Sequence, residues 1–271
     1  MSARKGRLPV PSEFNFEHEG GSLKFSKYIS KVTARVDAIL VERFDFPVCP
    51  ICLDPEPDTA EHVPPESLGG HIMTMTCRRC NHDFGTAEDQ LRSFIDLETT
   101  VHAETADGSV RGRRAARVAL RSSEGRAPGA FVRSAAPEFE EVLSSSSSKL
   151  TVKPLDMPLV VAAGLKHAYL AACLHQQSVP ASDGVDRVRA VLLAARDHDK
   201  QALTAALTTL GFEAAFGWIE AEGAPPVLLL ETEDVDMHWV FLFGGRFVLQ
   251  WPFADVQPRA AGHAPTTGHV V

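Results

Sequence analysis

Between Tyr28 and Phe44, apolar residues recur at Ile29, Val32, Val36, Ile39, Leu40 and Phe44, the spacing that predicts an amphipathic helix. The same reasoning predicts a helix over Ala87–Leu97, on Leu91, Phe94 and Ile95, and a strongly apolar one over Pro158–His175. Val185–Leu210 carries a further amphipathic pattern that breaks near His198. Strand signals are shorter. Thr59–Val63 is stopped by Pro64-Pro65, because proline cannot extend a ladder, and Gly69-Gly70 turns the chain into a second strand, His71–Thr76. From about Thr99 the texture changes to short β-like segments around Asp107-Gly108, Arg114–Leu120 and Ala130–Arg133. Near the end, Val227–Glu231, Met237–Phe243 and Arg246–Trp251 read as strands, the last two joined at Gly244-Gly245 as a hairpin. Trp239, Phe241 and Trp251 are expected in the core of that unit.

Mixed helical and strand periodicities place the chain in the α+β class. With 271 residues there is room for more than the segment Thr59–Leu97, and four regions are expected: a loosely held arm at 1–20, a first domain at 21–98, a mixed α/β domain at 99–257, and a tail at 258–271. Ser144–Ser148 reads as a polar surface loop. A hydrophobic fraction of 44% with 23% charged residues excludes a disordered or membrane-type composition. The chain shows no signal peptide and no apolar stretch expected to span a bilayer, so a cytoplasmic protein without a membrane partner is expected.

The cysteines sharpen this picture. Cys49-Pro50-Ile51-Cys52 and Cys77-Arg78-Arg79-Cys80 are two Cys-x-x-Cys knuckles. Each turn sets two thiolates at the bite of a tetrahedral ion, and two turns together make a closed structural Zn²⁺ site. Thiols that stay reduced in the cytoplasm favour zinc over disulfides. Between the knuckles a hairpin must fit. Cys173 sits among Leu170, Ala171, Ala172 and Leu174, and is expected to be a small core residue.

Inside this clasp stand Glu61-His62-Val63-Pro64 and Gly69-Gly70, and Asn81 follows the last cysteine directly. The order resembles that of the HNH (ββα-metal) endonucleases, over about residues 46–98. The resemblance implies a zinc-clasped ββα-metal nuclease domain that hydrolyses phosphodiester bonds in DNA. It assigns His62 as the general base, and Glu61 and Asn81 as ligands of a catalytic Mg²⁺ or Mn²⁺; His82, beside Asn81, is a candidate substitute ligand or phosphate contact, with an exposed polar residue as the alternative. Two departures stand out: Glu61 occupies a position where many members have Asp, and His71–Thr76 holds no counterpart of the middle asparagine. A zinc-ribbon or HNH-like module that binds nucleic acid or protein without cutting is the alternative.

Net charge is −8, which a phosphate backbone repels as a whole, so distribution decides. Arg78 and Arg79, beside the expected site, and the run Arg111, Arg113, Arg114 continuing to Arg117 and Arg121 are the candidate phosphate contacts. DNA is the expected partner, with RNA as the alternative. The C-terminal domain is expected to choose the substrate, a protein partner or a second copy of the chain. A role in bacterial defence or a mobile element is an expectation by analogy alone.

Overall fold

The computed structural model describes residues 39–96, 154–210, 224–231 and 238–259 with their side chains, and elsewhere only the backbone of the strands named below. The architecture is mixed α+β, built from small antiparallel sheets and helices. Strands β1 (Phe14–His18) and β2 (Gly21–Phe25) form a hairpin, so the expected loose arm includes a strand. β3 (Ala38–Leu40) is extended where the sequence predicts the end of a helix: its residues pair with Leu228–Leu230 at the edge of a distant sheet, a tertiary contact that overrides the local period. Residues 28–37 of the predicted helix lie outside the described residues, and 41–44 are described and not helical.

Between the knuckles, β4 (Thr59–Val63) and β5 (His71–Thr76) form the expected hairpin, with a bulge between Glu61 and His62. The short helix α1 (Arg78–His82) follows at once, and a ββα-like element results. α2 (Gly85–Ile95) buries Ala87, Leu91 and Ile95, one face of the predicted helix. Strands β6 (Glu98–Thr105), β7 (Ala115–Arg121), β8 (Gly129–Ala135) and β9 (Ser148–Lys153) make an antiparallel sheet in the order β8-β7-β6-β9. Ser148, expected in a loop, opens β9, while 144–147, Asp107-Gly108 and the tail from 260 lie outside the described residues.

Helix α3 (Met157–Gln176) is the axis of the core. Pro158 suits its first turn, where a missing N–H costs nothing, and Gln177 ends it in the left-handed region at φ 52°, with its N–H donating to Cys173 O. At 20 residues and a mean hydropathy of 1.5 it is long and apolar enough to cross a bilayer, contrary to the expectation from sequence. Of that window 89% is buried within the fold, because α3 is apolar on all sides and neighbours surround it. Helices α4 (Asp183–Arg196) and α5 (Lys200–Leu210) split the second amphipathic pattern where expected, at His198, whose φ of 54° breaks the helical path. Ser182 caps α4, its Oγ accepting from Val185 N at 3.2 Å.

The last sheet runs β10 (Phe216–Trp218), β13 (Phe247–Gln250), β12 (Trp239–Phe243), β11 (Val227–Glu231), β3, all antiparallel. Phe241 is fully buried and stacks on Trp251 with ring centroids 5.5 Å apart, and Tyr169 of α3 meets Phe253 edge-on at 5.8 Å. Phe241 is core, and Trp239 and Trp251 are half-buried and pack against the core. One hydrophobic core runs from Val41 to Phe253, through Cys49, Leu91, α3 and the last sheet, and so crosses the boundary expected near residue 98. The β12–β13 turn docks on the β4–β5 loop: Arg246 Nη1 donates to Ser67 O at 3.2 Å, and Arg246 pairs with Asp96.

Candidate functional site

The four knuckle thiols converge. Cys49, Cys52, Cys77 and Cys80 present Sγ atoms all within 4.8 Å of one another, and Cys49 and Cys80 are fully buried. A tetrahedral zinc tetrathiolate needs sulfurs about 3.8 Å apart, given bonds of about 2.3 Å. Cys52 and Cys77 Sγ already stand 3.5 Å apart, so the donor set and its spacing fit a metal ion such as zinc. Crowded thiols cannot all ionise without a cation: a hydrogen bond from Cys80 brings Cys49 down to about 5, burial pushes Cys52 up to about 11, and Cys80 is raised by its bond to Cys49. Cys173 stays apart, pushed up to about 12 by burial, as a core residue should be.

Three side chains from α3 and α4 support this centre from outside. Tyr169 Oη donates to Pro50 O at 2.6 Å, and Arg189 Nε to Ile51 O at 2.8 Å, satisfying carbonyls of the first knuckle. Arg196 Nη1 donates to Cys80 Sγ at 3.6 Å. They lie more than a hundred residues from their partners, and nothing in the local sequence marks them.

Asn81 is half-buried, and its Nδ2 donates to Ala60 O at 2.7 Å, which ties α1 to β4 just before Glu61 and His62. His62 is half-buried, whereas His82 and His71 are exposed. Glu61 is elsewhere in character. It is 2% exposed; Oε1 lies 2.9 Å from Lys166 Nζ and Oε2 accepts from Thr76 Oγ1 at 2.9 Å. Lys166 is itself fully buried on α3, donates to Glu88 Oε1 at 2.7 Å, and lies 4.9 Å from the centroid of the Phe84 ring. His167 Nε2 lies 3.3 Å from the same Glu88 oxygen. Burial disfavours the charge on Lys166, but Glu61 and Glu88 outweigh it and raise the ammonium above its ordinary value. Both oxygens of Glu61 are thus spent on protein partners, and Lys166 supplies the positive charge expected there from a divalent ion. As it stands, Glu61 does not fit an open metal ligand.

Regular alternation along β4 accounts for the contrast between neighbours, since the residue left unpaired at the register shift, Met73, belongs to β5. Strand alternation sends adjacent side chains to opposite faces, and here it turns Glu61 into the core and leaves His62 at the boundary. Arg78 and Arg79 are exposed, and Arg79 is engaged: Nη2 donates to Asp197 Oδ1 at 2.9 Å, with Asp83 Oδ2 at 3.9 Å from Nε. Arg111, Arg113 and Arg114 lie outside the described residues.

No family model, curated protein or solved structure matches this chain.

Proposed function

We propose that the chain is an endonuclease of the ββα-metal type that hydrolyses phosphodiester bonds in DNA, with zinc held by Cys49, Cys52, Cys77 and Cys80 as its structural ion. The observation that carries the reading is the bond from Asn81 Nδ2 to Ala60 O, which holds the asparagine after the last knuckle against the strand bearing His62. His62, at the edge of the hairpin and half-buried, takes the proton from the attacking water. A catalytic Mg²⁺ or Mn²⁺ would rely on Asn81, with His82 near it in the chain; Glu61 serves the fold through Lys166 and Thr76 and takes no part in the chemistry. Arg78 and Arg79 meet the phosphate backbone.

A non-catalytic zinc module that binds nucleic acid or protein is the second reading, and one observation favours it: the sequestered Glu61 removes a hard oxygen ligand from the hairpin. Incubation of zinc-loaded protein with supercoiled plasmid in Mg²⁺, Mn²⁺ or EDTA separates the two. Nicked or linear product supports the nuclease, and the EDTA arm shows whether a divalent ion takes part. DNA retained in a gel shift but never cut supports the second reading.

A further inference from the structure

The metal centre draws on a residue outside the knuckles. Arg196, on α4, is 8% exposed and donates Nη1 to the sulfur of Cys80, which is fully buried. Its guanidinium is held rigidly, since Nε and Nη2 donate to Asp197 Oδ1 and Oδ2 at 2.7 and 3.0 Å. Asp197 in turn accepts from Arg79 Nη2 at 2.9 Å, and Arg79 belongs to α1, the helix of the second knuckle. A chain of alternating charge therefore leads from a buried thiolate to the surface: Cys80, Arg196, Asp197, Arg79.

A Zn²⁺ ion with four thiolates carries two net negative charges, which are costly to bury unless hydrogen bonds or cations compensate them. An N–H···S bond from a guanidinium withdraws charge from the sulfur and stays fixed because the fork is planar and always protonated. We propose that Arg196 is part of the metal centre: it compensates the Cys80 thiolate, so that zinc binds more tightly and leaves more slowly than the four cysteines alone would allow. Arg196 tunes the centre and is not a ligand. The inference rests on the tetrathiolate site and is independent of the nuclease reading.

The test uses the full chain, loaded with zinc and titrated with a chromophoric chelator, and in parallel loaded with Co²⁺ for absorption spectroscopy. Arg196→Met is expected to weaken zinc binding by about 10–100-fold, the usual effect of removing an outer partner of a metal ligand. In the Co²⁺ protein, loss of the N–H···S bond raises the sulfur donor level, so the thiolate-to-metal band moves to longer wavelength. A structural clamp alone would leave that band in place. Unchanged affinity and an unmoved band in folded Arg196→Met overturn the proposal. Should that variant fail to fold, Arg196→Gln, which removes the charge but keeps a polar side chain, takes its place, and the same two outcomes decide. Asp197→Asn supplies the opposite sign: it removes the carboxylate that offsets Arg196, so zinc affinity is expected to hold or rise. A loss as large as that of Arg196→Met, with the Co²⁺ band unmoved, would mean that the Arg196–Asp197 pair only braces α4, and would also overturn the proposal.

Discussion

Lys166 is a full charge inside the most apolar helix of the molecule, and it survives there because Glu61 and Glu88 both reach its ammonium, at 2.9 and 2.7 Å. Removing one partner of such a group leaves the others buried and unpaired. Lys166→Met should therefore lower stability by about 3–5 kcal/mol in urea unfolding, while the triple change with Glu61→Gln and Glu88→Gln should recover most of the loss. A single variant as stable as the parent would show that the cluster contributes nothing. The same cluster fixes a pH dependence. Burial alone would raise the Glu88 carboxyl, yet the Lys166 ammonium and the His167 imidazole bring it down to about 2 from the ordinary 4.5. The folded value lies below the unfolded one, so this stabilisation is complete above about pH 4.5 and is lost as the pH falls towards 2. Urea midpoints compared at pH 6 and pH 3 should fall less for Glu88→Gln than for the parent. Equal falls would contradict the assignment.

The elements built on local pattern are those the sequence makes legible. The β4–β5 hairpin, α2, α3, the break at His198 and the β12–β13 turn all sit where periodicity and glycine or proline punctuation place them. Local rules fail where a distant partner decides. Ala38–Leu40 carries a helical period and becomes a strand because Leu228–Leu230 offers an open edge. Glu61 looks like a metal ligand beside His62, and only the fold brings Lys166 to it from a helix whose one lysine gives no local sign of its role. The glycines of the hairpin loop and of the later turn serve a close backbone approach that their spacing alone does not disclose. A Cβ on Gly70 would stand 1.5 Å from Pro64 O, and one on Gly244, where φ is +52°, would stand 2.3 Å from Leu68 O. Both obstacles are backbone and cannot swing aside. Gly70→Ala and Gly244→Ala should each cost about 1–3 kcal/mol in thermal or urea unfolding, the usual range for overpacking. Either variant melting with the parent would mean that these loops yield freely.

At the scale of the whole molecule, the knuckles, the central helix α3 and the last sheet share one core, and Tyr169, Arg189 and Arg196 reach across to the metal centre from the second half of the chain. Zinc held by the four thiols, as proposed, would therefore be linked to folding throughout. Cys49→Ser or Cys80→Ser should lose about one zinc per chain and unfold the protein as a unit, with zinc release and loss of far-UV ellipticity at the same temperature. A variant that keeps its helices while the knuckles alone melt would contradict a common core. The proposed activity turns on His62, half-buried on β4, where strand alternation sends its neighbour Glu61 inward. The most direct measurement is the rate of plasmid nicking by His62→Ala against the parent at matched zinc content. The parent is expected to cut, and cleavage is expected to fall at least about 100-fold in the folded, zinc-loaded variant, as removal of a general base requires. Equal rates, or a parent that binds DNA and never cuts it, would contradict the account.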